Sequence, residues 1–328
     1  MVANASPLVL LVMLVDRIPL PPPAGPTRGR PRVYSDRLFL KALVIMVLRQ
    51  LATVHALLAV LEQPTPEMQR LRQLLMEDGR YPSRRTFERR LATIPDTLPA
   101  QIVCLGQHLL ASIQPWERTG RAVAIDSTVV RAFGGAVWHK RDREAGHVPH
   151  SAIDTEAHWT KSDWHGWVYG WKLHLVTTVA AVWIPLAAEV TPANVADNVQ
   201  ATRLLPDIPD EARFILGDTH DHDAALQTQA GERGQVIVAS RRAGTRPRTD
   251  DGAAIRSLFH TLRSHAIENV NGQFKAIFDI SRPVPTHGLR ATRRLLLGAV
   301  LVYQLAVLHR HHIGEPLRVG LKPFLQAA

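Results

Sequence analysis

Arg121-Ala-Val-Ala-Ile-Asp126-Ser-Thr-Val-Val130 is the stretch where the hydrophobic pattern of this chain changes period. Upstream, apolar residues recur at helical spacing. Here Val123, Ile125, Val129 and Val130 form a β-branched run around a lone acid, which predicts a strand. Two more strands follow, one from Trp171 to Val179 with Leu173 and Leu175 alternating, and one from Ile184 to Val190. Their short connections predict an antiparallel meander.

Beyond the meander the pattern alternates. Asn194 to Leu205 reads as a helix, Arg213 to Leu216 as a buried strand, Ala224 to Ala230 as a helix and Val236 to Ala239 as a strand. Three strands followed by helix and strand in turn is the order of a ribonuclease-H-like mixed sheet, an α/β fold class. The segment from Ser264 to Lys275, with Ile267, Val270 and Phe274 at helical spacing, adds a further helix.

Upstream lies an all-helical region. Ser35, Thr53, Thr65 (with Pro66 at the first helical position) and Ser83 each stand where a helix N-cap belongs. Asp78-Gly79 ends the third of these helices. In the fourth, Phe87 and Leu91 make one apolar face and leave Arg84, Arg85, Arg89 and Arg90 on the others. That pattern suits a helix lying on DNA, or equally a solvated surface helix. Ile102, Leu105 and Leu109 continue an amphipathic helix toward the strands. Pro19 to Arg32 has no periodicity and reads as a linker or basic arm, with ordered structure expected after it. The expected organisation is an apolar leader and linker over 1–33 and a helical DNA-binding domain over 34–118. A catalytic domain over 119–285 and C-terminal helices over 286–328 complete it.

Composition narrows the function. With 328 residues and 46% hydrophobic content the chain can bury a large core, and 39 Lys and Arg against 29 Asp and Glu give a net charge of +10. The bases are mostly Arg, whose planar fork suits phosphate, so a polyanionic partner is expected. One cysteine, Cys104, excludes a disulfide framework and a cysteine zinc finger within one chain. The apolar run Leu8 to Val15 is shorter than a membrane span needs, so no membrane partner and a cytoplasmic, nucleoid-associated location are expected. His147, His150, His158 and His165 match no zinc-ligand spacing, and Trp159, Trp164, Trp167 and Trp171 read as packing residues or base-stacking ones.

Asp126 lies within the first predicted strand and Asp218 closes the fourth. A carboxylate in an apolar strand is costly to bury unless it is paired or binds a metal. If the first and fourth strands are neighbours the two converge, and hard oxygen donors there favour Mg2+ or Mn2+. Glu268, in the helix of Ile267 and Val270, is the candidate third ligand. Lys275 follows it by two turns on the same helix face.

Several segments resemble the IS4 family of bacterial insertion-sequence transposases. They are Ala124-Ile-Asp-Ser-Thr128, Trp138-His-Lys-Arg-Asp-Arg-Glu144, Ser151-Ala-Ile-Asp-Thr-Glu-Ala-His-Trp159, and His165 through His174. Thr191-Pro-Ala-Asn-Val-Ala-Asp-Asn198, Leu216-Gly-Asp-Thr-His220 and Ile267-Glu-Asn269 complete the set. The resemblance runs from about Arg30 to the C-terminus and is strongest between Gly120 and Lys275. It implies a catalytic triad of Asp126, Asp218 and Glu268 holding two divalent ions, Mg2+ or Mn2+. It also implies terminal inverted repeats and target DNA as partners, and a dimer on DNA. One such site serves both hydrolytic nicking and attack by the freed 3′-hydroxyl. The sequence departs from the family signature at Thr261, where Tyr is expected, and at Ser264, where Arg is expected. Arg263 stands one position away. Asp221 or Asp223 also occupies a place where Tyr is expected.

Lys172, His174, Arg263 and Lys275 are further candidates for DNA contact, with a surface histidine as the alternative for His174. Arg241 and Arg242, with Arg246 and Arg248, lie in a Gly- and Pro-containing loop suited to tracking a phosphate backbone. Two rival readings remain: a nuclease of the same fold that does not join ends, and a DNA-binding remnant without catalysis. Nothing resembles a nucleotide-binding Gly-rich loop.

Overall fold

The computed structural model describes residues 6–22, 32–113, 121–133, 140–147, 153–162, 166–179, 182–218, 223–239, 252–317 and 321–328. The chain divides into two compact units, one of Met1–Leu105 with Arg290–Ala328 and one of Gly106–Leu289.

Structure in the first unit begins earlier than the sequence predicts. The apolar run forms α1 (Pro7–Leu14), capped by Ser6, whose hydroxyl accepts from Val9 N–H at 3.3 Å. Leu8, Leu11, Val12 and Val15 are fully buried. A helix that is apolar all round has no solvent face, so it is stable only inside a core. The expectation of an unstructured leader ahead of the Pro-rich stretch is corrected accordingly. α2 (Asp36–Leu48), α3 (Val54–Leu61), α4 (Pro66–Leu74) and α5 (Arg84–Thr93) start at the predicted caps. Ser35, Thr53, Thr65 and Ser83 each accept a backbone N–H three residues on. α1 packs against α2 and α4, and α6 (Leu98–Ile113) leads toward the second unit.

In the second unit the run around Asp126 is β1 (Ala122–Arg131). β2 (His158–Ser162), β3 (Gly166–Thr178), β4 (Pro185–Pro192), β5 (Phe214–Gly217) and β6 (Val236–Ala239) complete the sheet. Its order is β2-β3-β1-β5-β6, with β4 also paired to β3. β3 runs antiparallel to β1, β2 and β4, while β1, β5 and β6 are parallel. This is the ribonuclease-H-like mixed sheet that the element order predicts, with β2 as an unforeseen addition. Its sequence, His-Trp-Thr-Lys-Ser, carries no apolar alternation because none of its residues is fully buried. The long β1–β3 pairing depends on Gly170: a Cβ there would lie 2.0 Å from Val130 O.

α7 (Lys140–Glu144), α8 (Asp197–Leu204), α9 (Ala224–Glu232) and α10 (Ala253–Phe278) are the helices of this unit. α8 packs on β1, β3 and β4, and α10 packs on β1, β5 and β6. Small side chains bring α10 close: Ala122, Ala124 and Leu216 on the strands meet Ala266 and Ile267 on the helix, with Phe214, Phe259 and Leu262 around them.

α11 (Leu289–His312) and α12 (Leu321–Gln326) return the chain to the first unit, where the sequence predicts a separate C-terminal extension. α11 is long and apolar enough to cross a membrane, but 78% of its apolar window is buried inside the protein, as in the core helix of a globular unit. Gln304 Nε2 donates to Ile102 O at 2.8 Å, and Gly298 lets α11 approach α2, since a Cβ there would be 2.8 Å from Val47 Cγ2.

Candidate active site

β1 and β5 are in register only from Ala122 opposite Phe214 to Ala124 opposite Leu216. β5 ends at Gly217 while β1 continues to Arg131, so the two parallel strands fork at their carboxyl ends. Asp126 and Asp218 each stand two residues beyond the Ala124–Leu216 pair. Side chains two apart on a strand share a face, so Asp126 follows Ala122 and Ala124 to the face that α10 covers. Asp218 follows directly after the end of β5, near enough for its charge to act on Asp126. The mouth of such a fork is where open α/β sheets bind ligands, because backbone pairing ends there and side chains take its place.

The surroundings of Asp126 act strongly on it. Burial pushes its carboxyl up from 3.8 to about 6; the Arg263 guanidinium and the Ser127 N–H pull it down, and the charges of Asp218 and Asp197 push it up. Arg263, from α10, places Nη2 3.1 Å from Asp126 Oδ1. Its own Nε is buried with no hydrogen-bond partner in the structure. Arg263, one position before Ser264, is thus the ion-pair partner of Asp126 in this structure.

Glu268 is exposed on α10, five residues past Arg263, or roughly 7–8 Å along the helix axis. It flanks the buried stripe of Ala266, Ile267, Val270 and Phe274. Among the described residues no group of three His, Cys, Asp or Glu side chains is placed to hold an ion. The structure thus brings Asp126 and Asp218 within electrostatic reach of one another and leaves Glu268 at the edge.

Lys172 and His174 are not surface groups. They are 8% and 2% exposed, and they stand opposite Val129 and Ser127 in the β1–β3 register. Directly paired antiparallel residues share a face, so both lie on the side away from Asp126, under α8. Lys172 Nζ is 3.0 Å from both oxygens of Asp197, and His174 Nδ1 is 3.6 Å from Asp197 Oδ1. His174 Nε2 lies 2.9 Å from Thr191 Oγ1. Burial, opposed by Asp197, lowers the His174 imidazole from 6.5 to about 4. Both the reading of these residues as DNA contacts and the surface alternative for His174 are corrected: period-two alternation identifies the face of a strand but not which helix covers it.

Residues 117–305, more than half of the chain, match a family model described as a transposase DDE domain. The chain belongs to the DDE transposase family. Comparison with curated proteins finds no match. Among solved structures the chain is similar to a cryo-EM structure of the piggyBac transposase synaptic complex with hairpin DNA. The identity is 10% and the TM-score 0.45, over 99% of this chain and 79% of that one.

Within the DDE domain, other motif residues turn out to be structural. Asp154 is 3% exposed and accepts from the N–H groups of Gly288 at 2.8 Å and Glu156 at 3.2 Å, while Glu156 accepts from Leu289 N–H at 2.5 Å. The acids of the Ser151–Trp159 segment thus hold the chain that follows α10. Trp171 is fully buried and so closed to a base, Trp159 is half-buried and packs against Tyr169 with ring centroids 5.3 Å apart, and Trp167 is exposed. Lys275 is exposed on α10. Arg241 and Arg242, with Arg246 and Arg248, lie outside the described residues.

In the helical unit that accompanies the DDE domain, the four arginines of α5 separate. Arg85 and Arg89 are exposed, and Arg84 is exposed but paired with Glu88 at 2.7 Å. Arg90 lies over the Phe39 ring, 4.4 Å from its centroid, bonded to Asp36 and to Tyr34 O. Arg90 is a packing residue, which corrects its reading as a DNA contact. The sequence reading also missed Asp197 and Asn198. An acid opening a helix reads as an ordinary cap, and its partners on β3 and α9 are far away in sequence.

Proposed function

We propose that this DDE transposase binds the terminal inverted repeats of its own element and catalyses metal-dependent cleavage and strand transfer of DNA, in the manner implied by its resemblance to the IS4 insertion-sequence family. One observation carries the proposal: two aspartates each stand two residues beyond the last pair of two parallel strands, near enough for the charge of Asp218 to act on Asp126. Burial raises the carboxyl of Asp126 well above the usual range, and Arg263 is the guanidinium described beside it. Carboxylate oxygens in that setting fit a hard divalent cation such as Mg2+ or Mn2+.

Asp126 and Asp218 would hold the cation, with Glu268 on α10 as the third donor. A divalent cation bound there would supply Lewis-acid activation for phosphodiester displacement. Arg263 is placed to neutralise charge beside Asp126, and exposed Lys275 lies further along the same helix for backbone contact. Arg85 and Arg89 on α5 offer the free basic face for duplex DNA. A dimer on paired ends, within the nucleoid, completes the proposal.

The test is a DNA substrate carrying the inverted repeats that flank the coding region. With Mg2+, the parent protein is expected to nick the ends and yield joined products. Asp126→Ala, Asp218→Ala and Glu268→Ala are each expected to cut cleavage by at least a thousandfold while end binding persists. Cleavage without any joined product would identify a plain nuclease. Normal cutting by any of the three variants would remove that residue from the centre.

A further inference from the structure

Asp197 and Asn198, the first two residues of α8, reach in different directions. Asp197 ties the helix to the sheet through Lys172 on β3, with His174 Nδ1 3.6 Å from its Oδ1. Lys172 also donates to Val195 O at 3.1 Å, and His174 bonds Thr191 at the end of β4, so one buried polar network joins β3, β4 and the start of α8. Asn198 Nδ2 donates to Asp223 Oδ2 at 3.3 Å. Asp223 is itself the cap of α9, accepting from Leu226 N–H at 3.0 Å. The connection that Asp223 closes is the one that Asp218 opens.

An apolar pair in place of Lys172 and Asp197 would pack as well, because a buried ion pair gains little over the cost of desolvating it. What such a pair can supply is a preferred arrangement, because Lys172, 8% exposed, is charge-paired when α8 holds Asp197 against it. Asp197 also lies near enough to Asp126 for its charge to be felt there.

We propose that Asp197 and Asn198 are the positioning clamp of the two-aspartate centre, one fastening α8 to β3 beside β1 and the other fastening it to the α9 cap beyond Asp218. α8 is thereby joined both to β3 and to the cap of α9. Neither residue touches the cation or the DNA. The inference rests on the reading of Asp126 and Asp218 as a shared cation site.

The experiment is Mn2+ titration of the full chain, read by loss of the free-ion EPR signal, with a thermal melt of each variant. Asn198→Asp sets two carboxylates against each other and is expected to weaken Mn2+ binding about tenfold, the range seen when the outer partners of a metal site are lost. Combining Asn198→Asp with Asp223→Asn reverses the polarity of the hydrogen bond, and Asn still caps a helix. The pair of changes is expected to restore binding to within about threefold of the parent. Asp197→Asn is expected to weaken binding like Asn198→Asp; if loss of its partnership with Lys172 unfolds the chain, the Asn198–Asp223 exchange decides alone. A melting temperature that falls while Mn2+ affinity stays unchanged, or a reciprocal exchange that fails to restore binding, overturns the clamp. Asp126→Ala in the same titration separates the two claims, because unchanged binding there removes the cation site itself.

Discussion

Asp126 keeps its proton to a higher pH than an ordinary aspartate, and this fixes the sign of a measurable effect. Its folded-state value of about 6 lies above the usual 3.8, so the folded chain holds a proton that the unfolded chain releases between those values. The stabilisation from keeping the group neutral is complete below 3.8 and is lost as pH rises through about 6. Asp126→Asn has no such proton. In metal-free protein, the stability of Asp126→Asn relative to the parent should therefore rise by about 2 kcal/mol between pH 4 and pH 7. Urea unfolding at the two pH values measures it, and a pH-independent difference would show that burial does not control this carboxyl. The sequence made Asp126 and Asp218 visible because an acid in a β-branched run contradicts its surroundings. It gave no comparable sign of Asp197, whose partners Lys172 and His174 looked like outward residues on an alternating strand.

At the scale of elements, the helix caps and the strands were legible because each carries a local chemical mark: a hydroxyl before a helix, or alternation within a strand. What local marks do not carry is pairing. β2 has too little apolar burial to show a period, and α1 looked like a leader because its burial depends on helices far along the chain. Gly170 shows how pairing leaves its mark on one residue. Its missing side chain admits Val130 O, so Gly170→Ala is expected to lower stability by about 3 kcal/mol, at the upper end of overpacking costs. A thermal melt of that variant reads the effect, and an unchanged midpoint would mean that β1 and β3 do not approach there as described. Glu268 belongs to this scale too. The helix that carries it was foreseen, but a helical period fixes only the angle around the axis and not the distance to a strand.

Across the whole molecule, positive charge is arranged rather than spread. The net charge of +10 predicts a polyanionic partner, but the structure sorts the arginines into those already engaged, such as Arg90 and Arg263, and those left open, such as Arg85 and Arg89. Replacing Arg85 and Arg89 together by Ala should weaken DNA binding and lower the slope of log affinity against log salt by about 2, one phosphate contact for each residue. Anisotropy titrations over a range of salt concentrations measure that slope. Arg90→Ala should instead lower the melting temperature, because Arg90 packs on Phe39. An unchanged slope in the double variant would move the DNA-binding face elsewhere.

Asp126 and Asp218, at the mouth of the β1–β5 fork, are proposed to form one cation centre. Calorimetric titration of Mn2+ into the parent, Asp126→Asn and Asp218→Asn tests it most directly. Saturable binding is expected for the parent, with affinity lower by a hundredfold or more in both variants while each still melts cooperatively. Parent-like binding in both variants would contradict it.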